Sequence, residues 1–326
     1  MEPLDPLPGV PTRYDTLFTM DYLRGKVPRL ARLYENAKRD QWNAATDIDW
    51  SIEVDPAKEN FPDAMLPIYG TPLWKELSAE KKLQLRKDGA AWILSQFLHG
   101  EQGALLTVAQ VVNSVPDYDA KLYASTQTVD EGRHVEVYGR YLQEKARAMM
   151  PINPNLHAML NDILGESRWD MKYLGMQILI EGLALGAFGM IHKTAREPLI
   201  KEITHYVMKD ESRHVAFGII ALEDVYNAMS REEVRVREAF AYEGCLRMRD
   251  RFIAEEIARR NGIPVELWNR QSMNSKLMQE FRRMLFTRIM PCLKRVGLLS
   301  DEVKPKFQEL GLLKYQDAPL DFADLG

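Results

Sequence analysis

The amino-acid sequence predicts an all-α protein, and three observations favour this class. Long segments between residues 78 and 229 carry apolar side chains at helical spacing, with prolines at most of their ends. No stretch that alternates apolar and polar residues between hairpin turns stands out. The pattern Asp-Glu-x-Arg-His occurs twice, each time inside a segment with helical periodicity. Together these features predict long helices packed against one another.

The helices predicted in chain order divide the protein into three parts of one domain. Residues 1–77 form a proline-rich irregular arm, a helix and a wrapping segment, residues 78–229 form a helical bundle, and residues 230–326 add helices and a tail. At 326 residues the chain can bury a sizeable core. The predicted helices cover residues 27–45, 78–114, 118–149, 155–164, 166–196, 198–229, 230–261 and 272–290.

Local start and stop signals set these boundaries. Ser78 can cap the first helix of the bundle, and Pro116 lies just beyond the end of that helix. Pro198 opens a later helix, because proline is tolerated at the first helical position. Ser230, followed by Arg-Glu-Glu, begins the next helix, and Gly262 marks its end.

Composition and charge exclude several classes of protein. The chain is 46% hydrophobic and 28% charged, as expected of a soluble globular protein. Its 43 basic and 47 acidic residues give a net charge of -4, so we expect no nucleic-acid partner and no polybasic membrane anchor. Residues 176–191 are the most apolar stretch, but they are short for a bilayer and contain Glu181, so no membrane partner is expected.

Cysteine usage and the N-terminal residues predict a cytoplasmic location. Cys245 and Cys292 are too few for a disulfide framework or a cysteine-rich zinc site, which fits a reducing compartment. The first residues show no basic-then-apolar signal segment.

The repeated motif has the spacing of metal ligands on a helix. It occurs at residues 130–134 and 210–214. A glutamate and a histidine three residues apart lie on one helix face, so Glu131 and His134 could bind one metal ion, and Glu211 and His214 another. A single E-x-x-H match is weak, but two copies within the same five-residue pattern are not plausibly chance.

Two further glutamates lie inside apolar helical segments. Glu101 precedes Glu131 by 30 residues, and Glu181 precedes Glu211 by 30 residues. In each hairpin the chain runs roughly 20 Å to the turn and about the same distance back. Both hairpins therefore return their carboxylates to one level, which favours a single shared site.

Four helices that contribute E, E-x-x-H, E and E-x-x-H resemble the ferritin-like di-iron carboxylate proteins. The Asp-Glu-x-Arg-His pair most resembles the hydroxylase subunits of bacterial multicomponent monooxygenases. It is more distantly similar to the ribonucleotide reductase small subunit, the acyl-carrier-protein desaturases and the p-aminobenzoate N-oxygenase group. The resemblance implies an all-α, ferritin-like four-helix bundle with additional helices and an irregular N-terminal arm. It also implies six metal ligands, which are Glu101, Glu131, His134, Glu181, Glu211 and His214.

The resemblance also implies residues that support the ligands. Asp130 and Asp210 match aspartates that hydrogen-bond the metal-bound histidines and fix their tautomer. Arg133 and Arg213 follow three residues later, at the spacing of an Asp–Arg pair on one helix. Four carboxylates and two imidazoles suit two iron ions, or a manganese–iron pair, better than a structural zinc.

The function implied is oxygen activation by a non-haem di-iron enzyme. We expect a monooxygenase that hydroxylates or otherwise oxidises a small organic molecule, aromatic or acyl, with O2 as co-substrate. The sequence contains no nucleotide-binding glycine motif after a strand and no four-cysteine cluster set, so a separate reductase or ferredoxin would supply electrons. By resemblance we expect a homodimer.

Alternative functions depend on single positions beside the ligands. Tyr138 lies one turn after His134, where ribonucleotide reductase small subunits similarly carry a radical tyrosine, so a radical-generating or ligand-oxidising protein stays open. The N-oxygenase group carries a seventh ligand, a histidine, where this chain has Val207, which disfavours N-oxygenation of an arylamine by that arrangement. Multicomponent hydroxylases usually carry a threonine where this chain has Leu185. An iron-handling, ferritin-like protein is a further alternative.

Residues one turn from the ligands are predicted to line a substrate cavity, since they share the inward face of each helix. Most of them are apolar, which would protect a reactive oxidant from water. They are Phe97, Leu105, Gln127, Gln177, Leu185 and Val207.

Overall fold

A computed structural model describes residues 4–55, 58 and 61–320. This described part contains helices and no β-strand, so the all-α prediction is confirmed. The α-helices are α1 (Pro28–Arg39), α2 (Pro72–Glu76), α3 (Ala79–Ser114), α4 (Tyr118–Arg140), α5 (Pro154–Gly165), α6 (Trp169–Tyr173), α7 (Glu181–Thr194), α8 (Pro198–Leu222), α9 (Arg231–Asp250), α10 (Glu255–Arg260), α11 (Val265–Asn274), α12 (Lys276–Arg295) and α13 (Lys304–Glu309).

Two antiparallel hairpins form the centre of the fold. The first pairs α3 with α4 around the turn at residues 115–117, and the second pairs α7 with α8 around residues 195–197. Side chains cap the helices at both turns: Asp117 accepts from the backbone N–H of Ala120, and Glu197 accepts from those of Leu199 and Ile200. These caps fix where α4 and α8 begin and therefore the level at which their ligands lie.

Two π-helical segments extend the bundle helices. Leu174–Ile180 joins α6 to α7 in one long helix and ends directly before Glu181. Tyr141–Ala146 continues α4 and ends at Arg147, whose φ is +52°. The helix predicted over 118–149 therefore stops earlier than its proline signal indicated, because the left-handed residue ends it.

Helices on either side cover the bundle. α1 packs across α4 and α8, with Leu30, Leu33 and Ala37 buried against them. On other faces, α9 packs against α5 and the π segment before α7, and α12 packs against α7. The approach of α12 is close, since a Cβ added at Gly186 would lie 3.4 Å from the Cα of Leu285.

The C-terminal helices differ from their predicted bounds. The helix predicted over 230–261 is interrupted after Asp250, and Ala254 there adopts a φ of +55°. The last long helix continues through Pro291, although a proline inside a helix costs about 3 kcal/mol. Met290 and Leu293 beside it are fully buried, and we infer that this burial offsets the cost.

One helix in the described part of the chain, Trp169–Thr194, is long and apolar enough to cross a membrane by length and composition. Its mean hydropathy is 1.7, and 78% of the apolar window is buried inside the fold. The central helix of a water-soluble bundle has the same properties, so this finding is weak support for a membrane span.

Candidate metal centre

The four central helices bring the six predicted ligands to one buried level. Each of the six is at most 5% exposed. Glu101, Glu131, His134 and Glu211 form one group, in which one ligand atom from each residue lies within 4.8 Å of the others. Glu131, Glu181 and His214 form a second group by the same measure.

His134 and His214 turn the same ring nitrogen toward the carboxylates. His134 Nδ1 lies 3.2 Å from Glu101 Oε2, 3.3 Å from Glu211 Oε1 and 3.5 Å from Glu131 Oε2. His214 Nδ1 lies 3.1 Å from Glu131 Oε1 and 3.7 Å from Glu211 Oε2. Glu131 and Glu211 thus direct different oxygens at the two histidines, so each of them could serve two metal positions.

The Nε2 edge of each imidazole, on the far side of the ring from Nδ1, contacts an aspartate from the other motif. His134 Nε2 lies 3.2 Å from Asp210 Oδ2, and His214 Nε2 lies 3.2 Å from Asp130 Oδ2. A proton on Nε2, donated to the aspartate, would leave the Nδ1 lone pair available to a metal ion held between the histidine and the carboxylates. The two motifs therefore support each other across the bundle rather than each supporting its own histidine.

The two arginines hold these aspartates in place. Arg133 bonds Asp130 and lies 3.2 Å from Asp210, while Arg213 bonds Asp210 and lies 3.6 Å from Asp130. All four side chains are buried. The predicted Asp–Arg pairs are present, and they form one crossed network.

Residues just after α1 complete this network, and the sequence analysis did not identify them. Trp42 Nε1 donates to Asp210 Oδ2 at 2.7 Å, and Gln41 Nε2 donates to Asp130 Oδ1 at 3.1 Å. The guanidinium of Arg133 lies 5.1 Å from the centre of the Trp42 ring. No local motif marks Gln41 or Trp42, since their roles arise from contacts with residues far along the chain.

Gln127 and Gln177, both predicted to line a substrate cavity, are fully buried in the bundle. Gln127 Nε2 donates to Glu131 Oε1 at 3.1 Å and to Glu181 Oε1 at 2.9 Å, so it positions two carboxylates. Gln177 is fully buried on the π segment, and neither of its side-chain polar atoms has a hydrogen-bond partner in the described structure. Gln127 therefore contacts the predicted metal ligands directly, whereas Gln177 lies in the packed interior beside them.

An apolar cavity of about 300 Å³ lies on the Phe97 side of the ligands. Phe97 lines it. Leu105, Gln127, Gln177, Leu185 and Val207 are not on its wall. Leu185 and Val207 belong to the buried core, and Leu105 is half-buried on α3.

The electrostatics of the cluster favour bound cations. Burial, and next the nearby charge of Glu211, raise the pKa of Glu101 and of Glu181 well above the usual range. Burial alone would lower the pKa of His134, but the surrounding carboxylates, Asp210 foremost, outweigh it and raise that pKa. These pKa shifts indicate that the buried carboxylates need protons or cations to offset their mutual repulsion.

The donor atoms fit a pair of divalent metal ions. Oε2 of Glu131, Glu181 and Glu211 and Nδ1 of His214 are buried without a hydrogen-bond partner in the described structure. With every carboxyl ionised and both histidines neutral, four glutamates, two aspartates and two arginines leave four negative charges, which two divalent ions would neutralise. Leaving such carboxylates buried and unpaired would be costly.

Tyr138 lies beside the ligands in an apolar setting. Its side chain is fully buried, and its hydroxyl has no hydrogen-bond partner among the described residues. Its ring centre is 5.8 Å from that of Phe97 and 5.9 Å from that of Phe188. Burial, and next the charge of Glu101, raise the pKa of Tyr138.

A helical bundle that surrounds two E-x-x-H motifs and two further glutamates defines a ferritin-like carboxylate protein of the di-iron oxygenase class. The chain belongs to the p-aminobenzoate N-oxygenase AurF family, whose model matches residues 26–297. It is an oxidoreductase by this membership.

Solved structures share the fold. An R2-like ligand-binding oxidase variant with an anaerobically reconstituted Mn/Fe cofactor is 19% identical, with 85% of this chain and 96% of that chain covered and a TM-score of 0.56. An R2-like ligand-binding oxidase after photoconversion is 17% identical over 85% and 96% of the chains, with a TM-score of 0.55. A third, after a long soak, is 18% identical over 85% and 94%, with a TM-score of 0.53. No curated protein sequence matches significantly.

Proposed function

We propose that this protein is an O2-dependent monooxygenase that oxidises a small organic molecule at a two-metal centre. The observation that carries the proposal is the arrangement of six buried ligands, with both histidine Nδ1 atoms facing shared carboxylates. Membership of an N-oxygenase family supports the same reaction class.

Each ligand has a proposed place. Glu101 and His134 would hold one metal ion, Glu181 and His214 the other, and Glu131 and Glu211 would bridge them. The metal pair would supply the reductive activation of O2.

The supporting residues would hold those ligands in the orientation that metal binding requires. Asp210 and Asp130 hold the Nε2 protons of the two histidines, and Gln127 orients Glu131 and Glu181. The apolar core around the ligands keeps water away from the reacting atoms.

The cofactor is proposed to be two iron ions, with a manganese–iron pair as the alternative. The ligand set is rich in hard oxygen donors, which suits either pair. The R2-like ligand-binding oxidases that share the fold carry Mn/Fe in two of the structures named above. We further propose an external electron donor, a reductase or ferredoxin, and a soluble, cytoplasmic homodimer.

Metal content per chain tests the site. Protein purified without added metal, and again after anaerobic ferrous loading, is analysed by mass spectrometry for iron and manganese. We expect about two metal ions per chain, because the ionised ligand set carries four net negative charges, which match two divalent ions. His134→Ala and His214→Ala should each lower this number, while the exposed control Glu136→Gln should not. Wild-type protein that binds no metal in either state would contradict the proposal.

Arylamine N-oxygenation is a second candidate, favoured by the match to the N-oxygenase family over residues 26–297. Val207 occupies the position at which the N-oxygenase group carries a histidine, and it is fully buried in the core. Oxygen uptake with p-aminobenzoate, beside non-amine aromatic and acyl compounds, separates N-oxygenation from hydroxylation.

A third candidate is radical generation at Tyr138, favoured by its buried, unpartnered hydroxyl one turn from His134. Metal-loaded protein exposed to O2 would then show a tyrosyl signal in electron paramagnetic resonance, and Tyr138→Phe would abolish it. Under the monooxygenase proposal we expect no stable tyrosyl signal and substrate oxidation that survives Tyr138→Phe. A persistent signal lost in that variant would favour the radical candidate.

A further inference from the structure

The cavity beside the ligands is an elongated slot along α3. Arg86, Ala90, Ile93 and Phe97 line it and recur every three or four residues, so they form one continuous face of the helix. The segment from Arg86 to Phe97 spans roughly 16 Å. Phe97 lies one turn before Glu101, so the slot begins beside the metal ligands and runs away from them.

The facing wall on α7 runs in the same direction. Phe97 packs against Phe188 with ring centres 4.6 Å apart, which fixes the inner end of the slot. From there the α7 wall moves away from Glu181, as the α3 wall moves away from Glu101. The α7 residues that line the slot are Ala187, Met190, Ile191 and Thr194.

Part of the segment that wraps the bundle closes the slot. Residues 61–67 line the cavity on one side. Arg86 holds this segment through two hydrogen bonds to Asp63, at 2.5 and 2.7 Å. Leu66 sits over α3 at Gly89, where an added Cβ would lie 3.2 Å from Leu66 Cδ2.

The charged side chains of the slot are mostly cations and lie at its outer end. Lys58, Arg86, Lys87 and Lys145 line it together with one acid, Asp63, which is paired with Arg86. Lys87 is exposed and has no ion-pair partner within the described chain, and it precedes Glu101 by roughly 21 Å of helix. Lys145 donates to the backbone carbonyls of Trp50 and Ile52 rather than to a carboxylate.

We propose that the slot binds a straight-chain monocarboxylate, with the carboxylate at the Lys87 end and the methyl end against Phe97. The excess of cations selects an anion, and the long apolar wall selects a chain. A single-ring acid anchored at Lys87 would be too short to reach Phe97, since roughly 15 Å of helix separates the two residues. Binding of the chain carboxylate does not depend on the proposed function; only its oxidation rests on that function.

In this orientation the carbon atoms nearest the six predicted metal ligands are those at the methyl end of the chain, far from its carboxylate. Hydroxylation there would break a C–H bond and form a C–O bond with one atom of O2. The other oxygen atom would leave as water, with two electrons from the reductase or ferredoxin proposed above and two protons from solvent.

Calorimetric titration of the full-length protein, metal-free and metal-loaded, tests binding without turnover. The probes are hexanoate, octanoate and decanoate, with decanol and benzoate as comparisons. Each added methylene should tighten binding about fourfold while the slot is still filling. Tryptophan fluorescence gives a second readout, because Trp92 and Trp268 line the slot. Affinity that is independent of chain length, or benzoate binding as tightly as decanoate, would overturn the proposal.

Charge variants test the orientation. Lys87→Glu should weaken decanoate binding by about tenfold, since it removes an attraction and adds a repulsion, and should leave decanol binding unchanged. Lys81→Glu is the matched control, because Lys81 lies on the same helix but does not line the slot. Equal loss in both variants, or wild-type affinity in Lys87→Glu, would rule out the proposed anchor.

The outcomes separate this proposal from the proposed function. A protein that binds two metal ions and consumes O2 but binds no chain carboxylate would refute only the ligand class. A protein that binds decanoate with the expected chain-length dependence but holds no metal would refute the oxygenase function and leave the ligand site standing.

Discussion

Gln127 is the residue through which α4 positions carboxylates from two helices. Its amide donates to Glu131 on its own helix and to Glu181 on α7, and the side chain is fully buried. A neutral donor between two carboxylates reduces their repulsion and fixes which oxygens remain for metal. Outer partners of this kind change metal affinity when they are removed.

Replacing Gln127 with leucine should weaken metal binding by about 10- to 100-fold, because both carboxylates lose the donor that orients them. Competition of each protein with a chelator of known iron affinity measures this change. Gln102→Leu is the matched control, since Gln102 is exposed on α3 beside Glu101. Unchanged metal affinity in Gln127→Leu would mean that Glu131 and Glu181 keep their positions without the hydrogen bonds from Gln127.

Single residues also show what the sequence could predict about the site. Glu101 and Glu181 could be predicted because a carboxylate inside an apolar helical segment is conspicuous, and the structure brings both to the shared level. Trp42 could not, because its bond to Asp210 joins residues 168 positions apart and follows no local pattern. The assignment of the six ligands to metal stays a prediction until metal content is measured.

At the scale of elements, the long bundle helices were predictable and their irregularities were not. Prolines and caps mark where α3, α5 and α8 begin. The π segment Leu174–Ile180 has no such signal, because the periodicity of an apolar run barely changes when one residue is inserted. Its fit depends on a neighbour: a Cβ added at Gly218 on α8 would lie 2.5 Å from the Cβ of Gln177.

The C-terminal elements show burial overriding local rules. Pro291 indicates a helix end, yet α12 continues to Arg295 while Met290, Cys292 and Leu293 pack fully buried. The break after Asp250 shows the reverse, because that helix stops without proline or glycine. There Trp268 on α11 donates to the carbonyl of Ile253 at 2.7 Å, a contact that only the assembled fold provides.

At the scale of the whole molecule, α1 and residues 61–67 pack against the bundle and form part of its surroundings. α1 lies on α4 and α8, and residues 61–67 lie on the slot beside α3. The division into an arm, a bundle and added helices stays a prediction, as does the homodimer. The contacts indicate that the N-terminal residues help to shape both the ligand network and the cavity.

A buried cluster of like charges should make the stability of the whole protein depend on metal. Free metal at 100 times its dissociation constant stabilises a folded protein by about 2.7 kcal/mol per site. For a protein of this size we expect the melting temperature to rise by roughly 5 °C or more on loading. Calorimetric melting of metal-free and iron-loaded protein under anaerobic conditions measures this difference.

The variant Glu181→Gln should separate charge repulsion from metal binding. Burial and the charge of Glu211 raise the pKa of Glu181, so a neutral glutamine resembles its protonated form and the metal-free protein should melt no lower than wild type. The rise on iron loading should shrink because a ligand is lost. Glu136→Gln, on the exposed side of α4, should leave both melting temperatures unchanged. If Glu181→Gln instead lowers the metal-free melting temperature and keeps the full rise on loading, Glu181 acts as a structural hydrogen-bond partner of Gln127 and not as a ligand.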